Sequence, residues 1–262
     1  MTDPLTIAVL GLGEAGSVIA GDLTAAGARV IAYDPARPEP PPAVELAGEA
    51  TDAAAAADVV LSLTSAAVAV ELAETVAPVL GPDRLFADLN TAAPALKRAV
   101  AAAVEPHGAS FADVALMAPV PDWGVRTPAL VSGSGAERFA TIFAGFGMPV
   151  TSVGREPGAA AARKLARSVF MKGQAAAIGE ALAAAERLGC EEWLYADIEA
   201  TLTAADGRLL RRLVEGSRLH AGRRVEEMAA AVAMLEELGV EPHVASASEA
   251  WLRLVVRSGV AG

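Results

Sequence analysis

The segment Gly11-Leu12-Gly13-Glu14-Ala15-Gly16 limits what this chain can fold into more than any other. It follows an apolar run, Thr6 to Leu10, that reads as a short buried strand. A turn over Gly11 to Gly16 then continues as a helix from Ser17 to Ala26. Asp34 closes the next strand-like run, Arg29 to Tyr33, 18 residues beyond Gly16. In this setting each glycine has a separate task. Gly11 permits the tight turn, Gly13 lets the backbone approach a pyrophosphate, and Gly16 lets helix and strand pack closely. The helix start offers free N–H groups to the anion. Asp34 is placed to accept hydrogen bonds from the adenosine ribose hydroxyls and to repel a 2′-phosphate, which favours NAD. Arg37 can meet such a phosphate, so NADP stays open. Outside a strand–turn–helix setting the same glycines would be a turn that binds nothing.

The first half continues as alternating strands and helices. Strand signals recur at Asp58 to Leu63, Leu85 to Asp88, Ser110 to Leu116, Ala129 to Val131 and Met148 to Thr151. Helical stretches lie near 66–79, 92–104 and 136–145, and the proline-rich segment Pro35 to Pro42 is a loop. Such alternation predicts a doubly wound, mainly parallel sheet, a Rossmann domain over residues 1–156. After Pro157-Gly158 no strand signal remains. One helix is expected from Ala159 to Leu188, ending at Gly189, then helices near 191–202, 204–218, 222–238 and 244–257. Residues 157–262 are therefore expected to form an all-α domain.

Composition narrows the partners. A net charge of −11 argues against nucleic acid and anionic membranes. No apolar run reaches the roughly 20 residues of a membrane span, and the N-terminus lacks a signal-peptide pattern, so a cytoplasmic location is expected. The single cysteine, Cys190, excludes an intrachain disulfide and reads as a helix-end residue. His107, His220 and His243 lie far apart without metal-ligand spacing, so no metal is expected. Trp123, Trp193 and Trp251 read as core or interface residues. Of 21 basic residues only Lys97, Lys164 and Lys172 are lysine, and a chain that otherwise uses arginine keeps lysine where a cation must lose its proton.

Further motifs carry a resemblance. Asp88-Leu89-Asn90-Thr91-Ala92-Ala93-Pro94 is similar to D-x-S-T-x-x-P, and Gly158 to Ser168 is similar to G-x-x-x-x-x-K-x-x-x-N. With the glycine motif and the Asp113 to Ala118 segment, they resemble the β-hydroxyacid dehydrogenase family, which includes 3-hydroxyisobutyrate and 6-phosphogluconate dehydrogenases. The pattern from Arg167 to Gly173 and from His220 to Met228 resembles a poorly characterised subfamily. Two positions depart from the family pattern. Met117 and Ala118 stand where it has Ser-Gly, and Ser168 where it has Asn, which puts the usual substrates in doubt.

The resemblance implies Lys164 as general acid/base and Ser168 beside it, one helical turn on. A partly buried lysine suits proton transfer in both directions, because desolvation lowers its pKa; arginine cannot do this. The bland alternative is a solvated helix lysine. Leu63, Thr64, Asn90 and Thr91 join Gly11, Leu12, Gly13, Glu14, Ala15, Gly16 and Asp34 as expected cofactor contacts. Met117, Ala118, Pro119, Lys172, His220, Arg223 and Arg224 are the expected substrate contacts, the last three suited to a carboxylate or phosphate. Arg223 and Arg224 can equally be a salt-bridged surface with Glu226 and Glu227. The expected activity is hydride transfer between a nicotinamide and the hydroxyl or keto carbon of a small, anionic hydroxy acid or related alcohol. An imine reductase of the same architecture, which generally lacks the lysine, and a non-catalytic NAD-binding sensor are the alternatives. The resemblance also implies a homodimer through the helical domain.

Overall fold

A computed structural model describes residues 4–36 and 39–258. Contacts divide the chain into two compact units, Met1–Arg167 and Ser168–Gly262. In the first unit the elements run β1 (Thr6–Leu10), α1 (Glu14–Ala25), β2 (Arg29–Tyr33), β3 (Glu45–Leu46), α2 (Ala50–Ala56), β4 (Val59–Ser62), α3 (Ala69–Val76), β5 (Leu85–Asp88), α4 (Pro94–Val104), β6 (Ser110–Leu116), α5 (Val120–Trp123), β7 (Ala129–Ser132), α6 (Ala136–Ala144) and β8 (Val150–Ser152). The strands form one sheet in the order β3-β2-β1-β4-β5-β6-β7-β8. Every pairing is parallel except β6 with β7.

The sheet is buried on both faces. Ile7 and Val9 join one apolar layer with Ile19 and Leu23 of α1 and Phe139 and Phe143 of α6. Ala8 and Leu10 point the other way, into a layer with Ala53 of α2, Ala73 and Val76 of α3, and Val100 and Val104 of α4. This alternation is the two-residue period of a strand, and double coverage is why the strands read as continuous apolar runs. The edge is tied by Arg29, whose guanidinium hydrogen-bonds both carboxylate oxygens of Glu45 at 2.9 Å. That bond holds the Glu45 carboxyl below its ordinary range.

Three local features differ from the sequence reading. Helix α1 starts at Glu14, not Ser17, because the chain is already extended at Gly13 (φ −65°, ψ −169°), which serves as the N-cap. Strand β3 has only two residues, both exposed, so no alternation could announce it. Helix α2 is Ala-rich and contains no long apolar side chain to mark a face.

Helix α7 (Ala159–Leu188) is followed by α8 (Glu191–Thr203), α9 (Gly207–Leu219), α10 (Ala221–Glu237) and α11 (His243–Arg257). Gly189 ends α7 with φ +70°, the left-handed conformation that glycine adopts without strain. Cys190 is the N-cap residue of α8. The second unit has a thin core: Ala184, Leu235 and Ala245 are its buried cluster, with Met228, Val232, Leu238 and Val240 packed against it. Glu180 caps α11 from α7, accepting the Val244 and Ala245 N–H groups at 2.7 and 2.8 Å. No described helix is long and apolar enough to cross a membrane.

Candidate functional site

The carboxyl ends of the parallel strands bring the motifs of the first unit together. The glycine turn follows β1, Leu63 and Thr64 follow β4, Asn90 and Thr91 follow β5, and Met117 follows β6. Open parallel sheets bind ligands at this end, at the point where the strand order reverses, here between β1 and β4.

The glycine turn fits a dinucleotide. A Cβ on Gly16 would lie 2.0 Å from the Gly11 carbonyl oxygen, and one on Gly11 would lie 2.4 Å from that of Leu63. Both positions are closed by backbone. A Cβ on Gly13 would meet none of the described residues within 4 Å, so this residue leaves open space at the start of α1. Beside the turn, a cavity of about 300 Å³ is lined by Gly11, Tyr33, Pro35, Thr64, Val68 and others. The Thr64 hydroxyl is buried there without a hydrogen-bond partner among the described residues, a group a ligand can satisfy. Asp34 holds the turn itself: its carboxylate accepts the Leu12 N–H at 2.8 Å and the Ala36 N–H at 2.9 Å. Glu14 is exposed and Ala15 partly buried at the helix start. Arg37 lies outside the described residues.

Lys164 and Thr91 meet. The Lys164 ammonium donates to Thr91 Oγ1 at 2.9 Å, joining the first turns of α7 to the loop after β5. Lys164 is half-buried and Thr91 exposed. Asn90 is turned inward, its Nδ2 donating to Asp88 Oδ1 at 2.7 Å and to Ser62 Oγ at 3.0 Å. Arg167, one turn beyond Lys164, donates to the Met117 carbonyl at 3.2 Å. Sequence reasoning missed Arg167, although its i+3 spacing from Lys164 could have flagged it.

Beneath this pair lies a buried ionic cluster that sequence reasoning also missed. Ser62, Asp88, Asp113 and Ser132 are paired residue to residue across β4, β5, β6 and β7, and all four are fully buried. Lys97, 1% exposed, enters the row from α4. Its Nζ donates to the Asp88 carbonyl oxygen at 2.8 Å and lies 3.1 Å from Asp88 Oδ2 and 3.5 Å from Asp113 Oδ1. Those two oxygens accept no aligned hydrogen bond from the described residues, so charge rather than directed bonding holds them to the ammonium. Lys97 is thus a buried counter-ion, a use that the composition argument for lysine did not foresee.

The remaining candidates lie elsewhere. The Met117 N–H is taken by the Pro128 carbonyl at 2.8 Å, so it is not available as an anchoring amide. Ala118 is partly buried and Pro119 exposed. On α7, Ser168 is four positions beyond Lys164, the spacing that stacks side chains on one face, and Lys172 is exposed. His220 joins α9 to α10. Arg223 lies 3.7 Å from Glu227, and Arg224 donates to Ser217 Oγ. Trp123, Trp193 and Trp251 are 53%, 66% and 51% exposed, so none is a core residue of the single chain.

This sheet, glycine turn and strand-end site are those of an NAD-binding domain. The chain belongs to the β-hydroxyacid dehydrogenase family of NAD-binding proteins, in a poorly characterised subfamily. Residues 6–120 match the NAD binding domain of 6-phosphogluconate dehydrogenase, and residues 185–255 match a domain of unknown function, DUF1932. A conserved hypothetical protein of Sinorhizobium meliloti is 33% identical, with 96% of this chain and 88% of that one covered, at a TM-score of 0.64. A conserved protein described as structurally similar to 3-hydroxyacid dehydrogenases is 28% identical over 96% of each chain, at 0.63. A variant of the imine reductase of Myxococcus stipitatus, in complex with NAD+, shares the fold at a TM-score of 0.83 with 24% identity, over 99% of this chain and 96% of that one. The chain spans about half, 55%, of the length of the curated relative it matches, an uncharacterized protein of Methanothermus fervidus that is 27% identical over 144 residues.

Proposed function

We propose that this protein transfers a hydride between a nicotinamide and the hydroxyl or keto carbon of a small, anionic hydroxy acid or related alcohol, with Lys164 as general acid/base. The observation that carries the reading is the Lys164–Thr91 hydrogen bond at the ligand-binding end of the sheet. A bound NAD(P) supplies the hydride acceptor or donor. In the oxidising direction the Lys164 amine takes the hydroxyl proton as the carbinol C–H bond breaks. In the reducing direction the Lys164 ammonium returns that proton to the forming alkoxide. Thr91 fixes Nζ, so the proton moves from a defined point. Arg167 supplies a cation one turn along α7, suited to a substrate carboxylate. The deciding experiment follows the nicotinamide absorbance with a panel of hydroxy acids, alcohols and imines. Turnover of imines alone, indifferent to Lys164, would replace this reading by imine reduction. Cofactor binding without any turnover would replace it by a sensor.

Asp34 leads us to propose NAD as the preferred cofactor. A 2′-phosphate beside this carboxylate faces like-charge repulsion, which costs several kcal/mol, so NAD(H) is expected to bind at least about tenfold more tightly than NADP(H). Titrating both tests it, and a preference for NADP(H) would shift the assignment to Arg37.

We further propose that two copies pair through the helical unit. Its core is thin, while Val169, Phe170, Trp193, Leu213, Leu219 and Leu254 are each more than half exposed. So much apolar surface on one small unit marks an interaction face. Light scattering at micromolar concentration should read twice the chain mass; a monomer would contradict the pairing.

A further inference from the structure

We infer that Lys97 is a positioning residue for the Lys164–Thr91 pair, an inference that rests on the role proposed for Lys164. Two carboxylates directly opposite each other on neighbouring buried strands repel. Lys97 holds them together, and each carboxylate then organises one partner of the pair.

Asp88 Oδ1 accepts the Asn90 backbone N–H at 3.0 Å and its Nδ2 at 2.7 Å, which shapes the loop that presents Thr91. Lys97 ties the start of that loop, through the Asp88 carbonyl. Asp113 Oδ2 accepts the Ala161 N–H at 3.0 Å and the Ser132 hydroxyl at 3.1 Å, and Ser132 Oγ accepts the Ala160 N–H at 3.0 Å. The Ala160 and Ala161 N–H groups at the start of α7 are therefore capped by strand side chains, while that of Ala159 goes to the Glu156 carbonyl at 3.2 Å. Two carboxylates against one ammonium leave an excess negative charge, and it faces the positive end of the α7 dipole. Gly158 completes the seat: at φ +94° its Cβ position lies 2.8 Å from the Pro94 carbonyl oxygen, at the start of the helix that carries Lys97. Lys164 is three residues beyond Ala161, so its reach to Thr91 depends on both halves of the clamp.

A buried ion pair is weak support for stability alone, since apolar replacements of similar volume often cost nothing. The geometry assigns Lys97 to alignment, and the test separates alignment from counter-charge. Lys97→Met leaves two carboxylates facing each other, which can unfold the chain. Lys97→Met combined with Asp113→Asn removes one charge of each sign, and the amide oxygen introduced by the second substitution still accepts the Ala161 N–H.

This double variant is expected to fold and to bind NAD(H) within about twofold of wild type, because the glycine turn lies apart from the altered residues. Its kcat should fall by about 10–100-fold with KM nearly unchanged, the size of effect that a displacement of order 1 Å produces. A second readout needs no turnover. With only three lysines in the chain, 13Cε-lysine labelling gives three side-chain resonances in wild type and two in the variant. The Lys164 resonance should move toward that of exposed Lys172. Native kcat and an unmoved Lys164 resonance in the double variant would overturn the inference and leave Lys97 a counter-charge. An unfolded double variant would overturn it too, by making the clamp a requirement of the fold. Should Lys164→Ala itself keep full activity, the proposed mechanism fails, whatever Lys97 does.

Discussion

Lys164→Ala is expected to lower turnover by roughly 10²–10⁴-fold, the usual worth of a positioned acid/base group, with NAD(H) affinity nearly intact. The two effects separate because the proposed dinucleotide site, the glycine turn and Asp34, is built from β1, α1 and β2, while Lys164 sits on α7 and contacts Thr91. Lys164→Arg should fail almost as badly. Guanidinium can donate to Thr91 but keeps its proton at any working pH, so it cannot accept the hydroxyl proton. Lys172→Ala should lose much less, because that side chain is exposed and lies about 80° round the helix from Lys164. The measurement is single-turnover hydride transfer with a substrate from the panel, alongside cofactor titration. Near-native turnover in Lys164→Ala with loss in Lys172→Ala would move the acid/base role to the other lysine. Activity in both would end the lysine mechanism.

The strand–turn–helix of the proposed cofactor site was legible because its constraint is local. A glycine turn between strand and helix needs a fixed spacing, and the acid at the end of the next strand follows at a fixed distance. The helical half was legible in outline, since Gly189, Gly239 and Pro242 punctuate its helices. Asp34 shows the limit even in the cofactor half. Its ribose role is read from position, but its hold on the Leu12 N–H appears only when β2 and the turn are side by side. The ionic cluster was not legible. Phe86-Ala87-Asp88 and Phe111-Ala112-Asp113 are the same tripeptide, and the sheet sets them in register, Phe to Phe and Asp to Asp. Sequence shows the repeat but not the register, and without the register Lys97 has no visible reason to be buried. Asn90 was read as a group facing ligand for the same reason: its partner Ser62 stands on another strand, 28 residues earlier.

Gly16→Ala and Gly13→Ala are expected to part stability from binding within one turn. In an ordinary helix, glycine to alanine gains about 1 kcal/mol. At Gly16 that gain is overwhelmed, because the new methyl would stand 2.0 Å from the Gly11 carbonyl oxygen and 2.9 Å from its carbon. Both are backbone atoms tied to the sheet, Gly11 through its N–H to the Tyr33 carbonyl at 2.8 Å, so α1 has to move off the turn. A loss of roughly 4 kcal/mol or more is expected, at the severe end for a single substitution, with NAD(H) binding lost as well. Gly13 is different. Its extended backbone suits any residue, and an added Cβ meets no atom of the described residues within 4 Å. Alanine there is a poorer N-cap, at a cost under about 1 kcal/mol, which moves the unfolding midpoint by only a few degrees. Yet the methyl enters the space proposed for the pyrophosphate at the α1 N–H groups, so NAD(H) affinity should drop by at least about tenfold. Thermal unfolding and cofactor titration of the two variants, side by side, read both effects. A Gly13→Ala protein that binds NAD(H) as tightly as wild type would remove the turn as the phosphate cradle, and a Gly16→Ala protein of native stability would show that the contact with Gly11 can yield.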